Sequence, residues 1–215
     1  MKIVFLGDSI TDNLVFKINN KRYPELVCKH FNAKELNYGV SGTRIARQRV
    51  HVPTNPDEDF ILRARWIDYT CDMLFVFGGT NDWGHGDAPL GKFGDVTPYT
   101  FYGALKQLID YLLIVGKLPK EKICFILPLY RYNENNPKSD HHPLNRTVPR
   151  LKEYRQAIKQ VCGHYGIDYL VIEGIPMPDT QQPSEFFHDG LHPNDKGHQV
   201  IADELIAYLT KKGFK

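Results

Sequence analysis

Short, nearly continuous apolar runs alternate along the chain with longer stretches in which apolar residues recur at helical spacing. The first run, Lys2 to Leu6, ends in Gly7-Asp8-Ser9-Ile10-Thr11. A helical stretch follows through Tyr23 to Phe31, then a second strand from Lys34 to Tyr38, then the glycine-punctuated turn Asn37 to Arg44, which is read as opening another short helical segment. Pro53 to Asp59 reads as a polar loop and Phe60 to Tyr69 as a helix. Asp72 to Phe77 is a strand-length run, apolar from Met73 onward as a strand buried on both faces requires, and exits into Gly78-Gly79-Thr80-Asn81-Asp82-Trp83. The helix predicted over Tyr99 to Val115 carries Leu105, Leu108, Ile109 and Leu112 on one face. Lys122 to Leu127 forms a fourth strand, followed by a long polar loop from Pro128 to Arg146. A helix from Val148 to Tyr165, a fifth strand from Ile167 to Ile172 and a closing helix from Asn194 to Thr210 complete the pattern. Five strands alternating with helices predict an α/β fold: a three-layer α/β/α sandwich around a mainly parallel, flavodoxin-like five-stranded sheet with right-handed crossovers.

The length of 215 residues suits one domain over the whole chain, 1–215. A net charge of +2 with 24% charged residues gives no nucleic-acid or polybasic membrane surface. The amino-terminal apolar run is too short for a secretory signal or a membrane span, so a soluble cytoplasmic protein without stable membrane association is expected. Cys28, Cys71, Cys124 and Cys162 are widely spaced and lack a C-x-x-C pair, which predicts buried reduced thiols. Oligomeric state is not encoded in any recognisable pattern.

Candidate chemistry concentrates at strand exits. In an open parallel sheet the ligand crevice lies at the carboxyl ends of the strands, where Ser9 is delivered. The chain has four serines; only Ser9 and Ser41 follow predicted strands, and Ser139 and Ser184 lie in polar loops. None sits in G-x-S-x-G, so the α/β-hydrolase elbow is absent. Near the carboxyl terminus Asp189 precedes His192 by three positions across a glycine-containing turn, a spacing that lets the carboxylate hold the imidazole N–H. Taken alone, Asp8-Ser9 could simply cap a helix, and Asp189-x-x-His192 could be a solvated loop.

Four ordered blocks, Gly7-Asp8-Ser9-Ile10, Asn37 to Gly42, Gly79-Thr80-Asn81-Asp82 and Asp189-Gly190-Leu191-His192, resemble those of the SGNH hydrolases, the GDSL lipase/acylhydrolase family. The resemblance implies a serine esterase in which Ser9 is the nucleophile, His192 the general base and acid, and Asp189 its orienting carboxylate. It implies an oxyanion hole made by the Ser9 and Gly42 backbone N–H groups and the Asn81 amide. Ile10 replaces the family's leucine, a conservative exchange at a packing position. Asp8 reads equally as orienting the nucleophile turn or as bonding nearby backbone N–H groups, and Asp82 reads as structural. Trp83, Tyr130 and Arg131 follow strands three and four directly and are candidates for the substrate pocket.

The implied partner is a small-molecule ester, with short acyl esters such as acetylated carbohydrates favoured by polar, aromatic and basic loops. Lysophospholipase and thioesterase activities are alternatives within the family. A non-catalytic carbohydrate-binding module and a flavodoxin-like binder of phosphate or another small ligand are alternatives outside catalysis. No cofactor is implied: there is no G-x-G-x-x-G or Walker loop, and His85, His141, His142, His188 and His198 lack compact metal-ligand spacing.

Overall fold

The computed structural model describes residues 1–12, 22–49, 59–135 and 149–215. Five strands, β1 (Lys2–Gly7), β2 (Lys34–Gly39), β3 (Met73–Phe77), β4 (Ile123–Ile126) and β5 (Asp168–Leu170), form one sheet in the order β2-β1-β3-β4-β5. Every neighbouring pair is parallel. The α/β expectation therefore holds.

Strand alternation divides the core in two. Val4, Leu6, Leu74, Val76, Ile123 and Phe125 face one side, where α2 (Phe60–Ala64), α4 (Phe101–Asp110) and α5 (Leu151–Tyr165) pack. Ile3, Phe5, Met73, Phe75, Cys124 and Ile126 face the other, under α1 (Tyr23–His30) and α6 (Asp195–Lys211). Both faces of β1, β3 and β4 are thus sealed, which explains their unbroken apolar sequences. After β1 the chain builds β2 on one side and then crosses to β3 on the other, so a switch point lies between β1 and β3. The crevice outside their carboxyl ends is where such sheets bind ligands.

Local hydrogen bonding trims several predicted elements. The helix expected over Phe60 to Tyr69 stops at Ala64: Arg65 and Trp66 donate to carbonyls three residues back, and Asp68 draws the Thr70 N–H into a local turn. The helix expected over Tyr99 to Val115 begins at Phe101, where Thr100 caps the Gly103 N–H, and widens after Asp110 into a π-turn over Tyr111–Val115. The short helix expected after Arg44 does not form over the described residues 45–49. Its backbone donors go elsewhere: Ile45 and Ala46 to Asp82, Arg47 to the Pro98 carbonyl and Arg49 to Asp87. The sequence pattern missed α3 (Thr80–Gly84), a single turn directly behind β3.

Most of the predicted loop over 53–59 and residues 136–148 of the loop after β4 lie outside the described residues, as do Ser139, His141, His142 and Val148. The four cysteines are unpaired and buried. Among the described residues no helix is long and apolar enough to cross a membrane.

Candidate active site

Ser9 sits in the turn that closes directly behind β1. Thr11 and Asp12 both donate N–H groups to the Asp8 carbonyl, at 3.0 and 2.9 Å, and the Asp8 carboxylate accepts from the Ile10 N–H at 3.0 Å. Three consecutive residues, Ile10 to Asp12, are thereby held to the polar atoms of Asp8, which explains why a short G-D-S-I run can fix a hydroxyl at the sheet edge. The remaining Asp8 oxygen, Oδ2, is buried with no hydrogen-bond partner. Burial raises the Asp8 pKa to about 6, against the lowering effects of the Ile10 N–H and of the nearby His192, Arg63 and Arg131 charges.

The second part comes from the turn before α6. Asp189 Oδ1 accepts from the Leu191 and His192 backbone N–H groups at 3.0 and 2.7 Å, while Oδ2 lies 2.7 Å from His192 Nδ1. Burial would raise the Asp189 pKa, but the hydrogen bonds from the His192 ring, the His192 backbone and Leu191 outweigh it and lower the value to about 2. An ionised carboxylate can only accept, so Nδ1 carries the proton and Nε2 presents a lone pair. That nitrogen lies 3.0 Å from Ser9 Oγ. Gly190 makes the turn possible: its φ is 72°, and a Cβ there would meet the Thr180 carbonyl oxygen at 2.5 Å. Below the turn, Phe187 and Pro193 form an antiparallel bridge, and Asn194 caps α6 through the Gly197 N–H.

The third part joins the exits of β2 and β3. Gly42 adopts a φ of 77°, a conformation that disfavours side chains. Ser41 is tied to Asp12 through both its N–H and its hydroxyl, at 3.0 and 2.5 Å. From α3, buried Asn81 donates one amide N–H to the Thr43 carbonyl at 3.0 Å, leaving its other N–H available. Asp82 accepts from the distant Ile45 and Ala46 N–H groups, at 3.0 and 2.8 Å, and so anchors the stretch after Arg44; burial raises its pKa to about 6 despite these bonds.

These exits converge on a cleft of about 360 Å³ that brings together Ser9, Gly42, Asn81 and His192. Asp189 stands behind His192. Of the three candidates for pocket contacts, Arg131 lines the cleft. Trp83 is 3% exposed and packs under Arg131, whose guanidinium carbon is 4.8 Å from the indole centroid. Tyr130 lines a separate cavity of about 580 Å³, because its ring is held 4.5 Å from the guanidinium carbon of Arg155 on α5.

Two contributors carry weak sequence signals. Arg63 of α2 is buried and donates to Gly7 O at 2.9 Å, to Thr43 Oγ1 at 2.7 Å and to Tyr38 O. It ties together the ends of β1 and β2 and the Thr43 turn; its only signal is a charge among the buried positions Phe60, Ile61 and Ala64. Asp12 carries none beyond its nearness to Ser9.

Among the described histidines, His85 lines the cleft with Nδ1 3.0 Å from Arg44 Nη1. His198 is buried and accepts from the Tyr23 N–H; burial first, then the Arg22, His188 and His192 charges, lower its pKa to about 3 and keep it neutral. Among the described residues no cluster of three His, Cys, Asp or Glu side chains could hold a metal ion.

Comparison with known proteins decides the family. The GDSL-like Lipase/Acylhydrolase family matches residues 5–200, a span that includes every side chain of the cleft named above. The chain belongs to this family. As a GDSL-like protein with esterase relatives, it is a carboxylic ester hydrolase. It is 25% identical over 217 residues to the human isoamyl acetate-hydrolyzing esterase 1 homolog, covering 98% of this chain and 82% of that protein. It is 24% identical over 241 residues to the acetylxylan esterase of Geobacillus stearothermophilus, covering 100% and 94%. A crystal structure of a Lactobacillus plantarum protein superimposes with a TM-score of 0.79 at 29% identity, covering 98% of this chain and 96% of that one. The GDSL-like fold also recurs in a lipase/acylhydrolase from Enterococcus faecalis, at a TM-score of 0.64 and 22% identity over 98% and 96% of the chains.

Proposed function

We propose that the chain is a serine esterase that removes short acyl groups, acetyl above all, from a polar alcohol such as a sugar. The observation that carries this reading is the continuous run Ser9 Oγ, His192 Nε2, His192 Nδ1, Asp189 Oδ2, with contacts of 3.0 and 2.7 Å, ending in the cleft. Ser9 Oγ attacks the ester carbonyl and passes its proton to His192 Nε2. His192 returns that proton to the leaving alkoxide, then takes one from the water that attacks acyl-Ser9 and delivers it to Ser9 Oγ as the acid departs. Asp189, ionised throughout, holds the ring and offsets the imidazolium charge. The developing oxyanion is met by the Ser9 and Gly42 N–H groups and the free N–H of Asn81. Among the described residues neither backbone N–H has an acceptor in the protein, which suits donors reserved for a substrate.

A small cleft supports a short acyl group. The two curated relatives support acetyl in particular, since their names denote acetate esters of unlike alcohols. One catalytic domain spanning 1–215 and a cytoplasmic location complete the proposal, the latter supported by four unpaired cysteines. Hydrolysis of p-nitrophenyl esters from acetyl to long acyl, by the wild type and Ser9→Ala, tests it. The expected result is a rate highest for acetyl and lost in Ser9→Ala. A preference for long chains would overturn the short-acyl reading, and activity persisting in Ser9→Ala would remove Ser9 as nucleophile.

A further inference from the structure

Arg131 is a cation built into the cleft with no ion-pair partner among the described residues. The loop leaving β4 fixes its backbone by an N–H bond to Glu134 at 3.0 Å, but the Glu134 charge is already matched by the two-pronged Arg155. The guanidinium lies over the Trp83 ring, and Nη1 is pinned to the carbonyl and hydroxyl of Thr80, both at 3.3 Å. Gly84 leaves the space it occupies, since a Cβ there would stand 2.8 Å from Nη1. Nε is buried with no acceptor, and among the described residues Nη2 has none either. Asp189, Asp8 and Glu134 compensate the charge from a distance, yet burial prevails and lowers the Arg131 pKa to about 10. A guanidinium held planar on an aromatic face, with an edge unsatisfied, suits a two-oxygen acceptor.

Its position indicates which part of the ester it meets. The next residue, Tyr132, donates its N–H to Gly190 O at 2.9 Å, so Arg131 flanks the turn that carries His192. The leaving alcohol must reach His192 to receive its proton. We infer that Arg131 selects esters whose leaving group carries a carboxylate or a comparable anionic group. This rests on the esterase reading above and narrows its substrate class.

The test compares kcat/KM for 3- and 4-acetoxybenzoate with that for the matching neutral acetoxybenzamides, in the wild type, Arg131→Met and Arg131→Lys. The wild type is expected to prefer one anionic isomer by about 10- to 100-fold, the range for a hydrogen bond to a charged group. Arg131→Met should abolish that ratio and Arg131→Lys keep part of it. Equal rates on anionic and neutral esters in the wild type, or an equal loss on both in Arg131→Met, would overturn the inference and leave Arg131 a structural residue. If Arg131→Met does not fold, inhibition of the wild type by 3- and 4-hydroxybenzoate against the hydroxybenzamides decides: tighter binding of an anion supports the inference, equal binding overturns it. Failure to hydrolyse any of these esters or p-nitrophenyl acetate would instead count against the esterase reading. Thermal stabilisation of Ser9→Ala by hydroxybenzoate over hydroxybenzamide, abolished by adding Arg131→Met, would then still test the anion site by itself.

Discussion

Asn81 donates an amide N–H to the Thr43 carbonyl at 3.0 Å, so the side chain behind β3 and the turn behind β2 form one braced unit. The bond leaves the amide a single N–H and orients it. Because Gly42 precedes Thr43, two of the three proposed oxyanion donors are set relative to each other by this contact. Electrostatic stabilisation of this kind depends on donors being in place before charge develops.

Asn81→Ala is accordingly expected to lower kcat on p-nitrophenyl acetate by about 100- to 1000-fold while KM changes only a few-fold. Steady-state kinetics on the purified variant check this. An unchanged kcat would remove Asn81 from the oxyanion hole.

Arg63 braces the same region from beneath. Arg63→Met strips the donors from Gly7 O and Thr43 Oγ1, both in buried contacts, and from the part-buried Tyr38 O. Each buried acceptor left unsatisfied costs about 1–3 kcal/mol, so urea unfolding should show a loss of about 3 kcal/mol or more. Activity should fall with stability, because Gly7 directly precedes the Asp8-Ser9 turn. Arg63→Lys restores one charge but not the fork, and is expected to recover only part of either quantity.

The parts of this molecule legible in the sequence are those set by chain-local physics. Burial on both faces wrote β1, β3 and β4 as apolar runs, and the Asp189 to His192 turn is complete within four residues. What stayed hidden depends on long-range partners. The stretch after Arg44 has helix-compatible composition, yet Asp82 and Asp87, almost forty residues on, take the backbone donors a helix would use. The partners of Arg63, the terminal carbonyls of β1 and β2, lie 56 and 25 residues away and leave no local mark in the sequence. Trp83 and Tyr130 stand at strand exits yet do not line the cleft, because the direction in which each ring points is decided by Arg131 and Arg155.

Gly190 offers a test of how rigidly the histidine must be held. An alanine there meets the Thr180 oxygen and must also adopt a φ of 72°, a conformation costing L-residues roughly 1–2 kcal/mol. The strain falls between Asp189 and His192, so Gly190→Ala should lower kcat more than it lowers the unfolding free energy would suggest. Thermal unfolding alongside kinetics separates the two: a folded protein with wild-type kcat would show that the turn tolerates movement.

The two aspartates nearest the reacting atoms should respond to pH in opposite directions. Asp189, lowered to about 2, contributes stability above the unfolded-state value of 3.8 and loses it as pH falls towards 2. Asp8, raised to about 6, binds its proton more tightly in the folded state, so its contribution declines as pH rises from about 4 through 6. A shift from 3.8 to about 6 corresponds to about 3 kcal/mol once the group is fully ionised. Asp8→Asn keeps an acceptor for the Ile10 N–H and removes the buried charge. It should therefore raise the urea-unfolding free energy by up to about 3 kcal/mol at pH 7.5 and by almost nothing at pH 4. The same variant should have a lower kcat, because the Asp8 charge also acts on His192 and adds to that of Asp189 in stabilising the imidazolium formed during turnover. A variant both more stable and slower would mean that Asp8 is kept ionised beside Ser9 at the expense of the fold. Equal stabilisation at both pH values would show instead that its charge carries no cost.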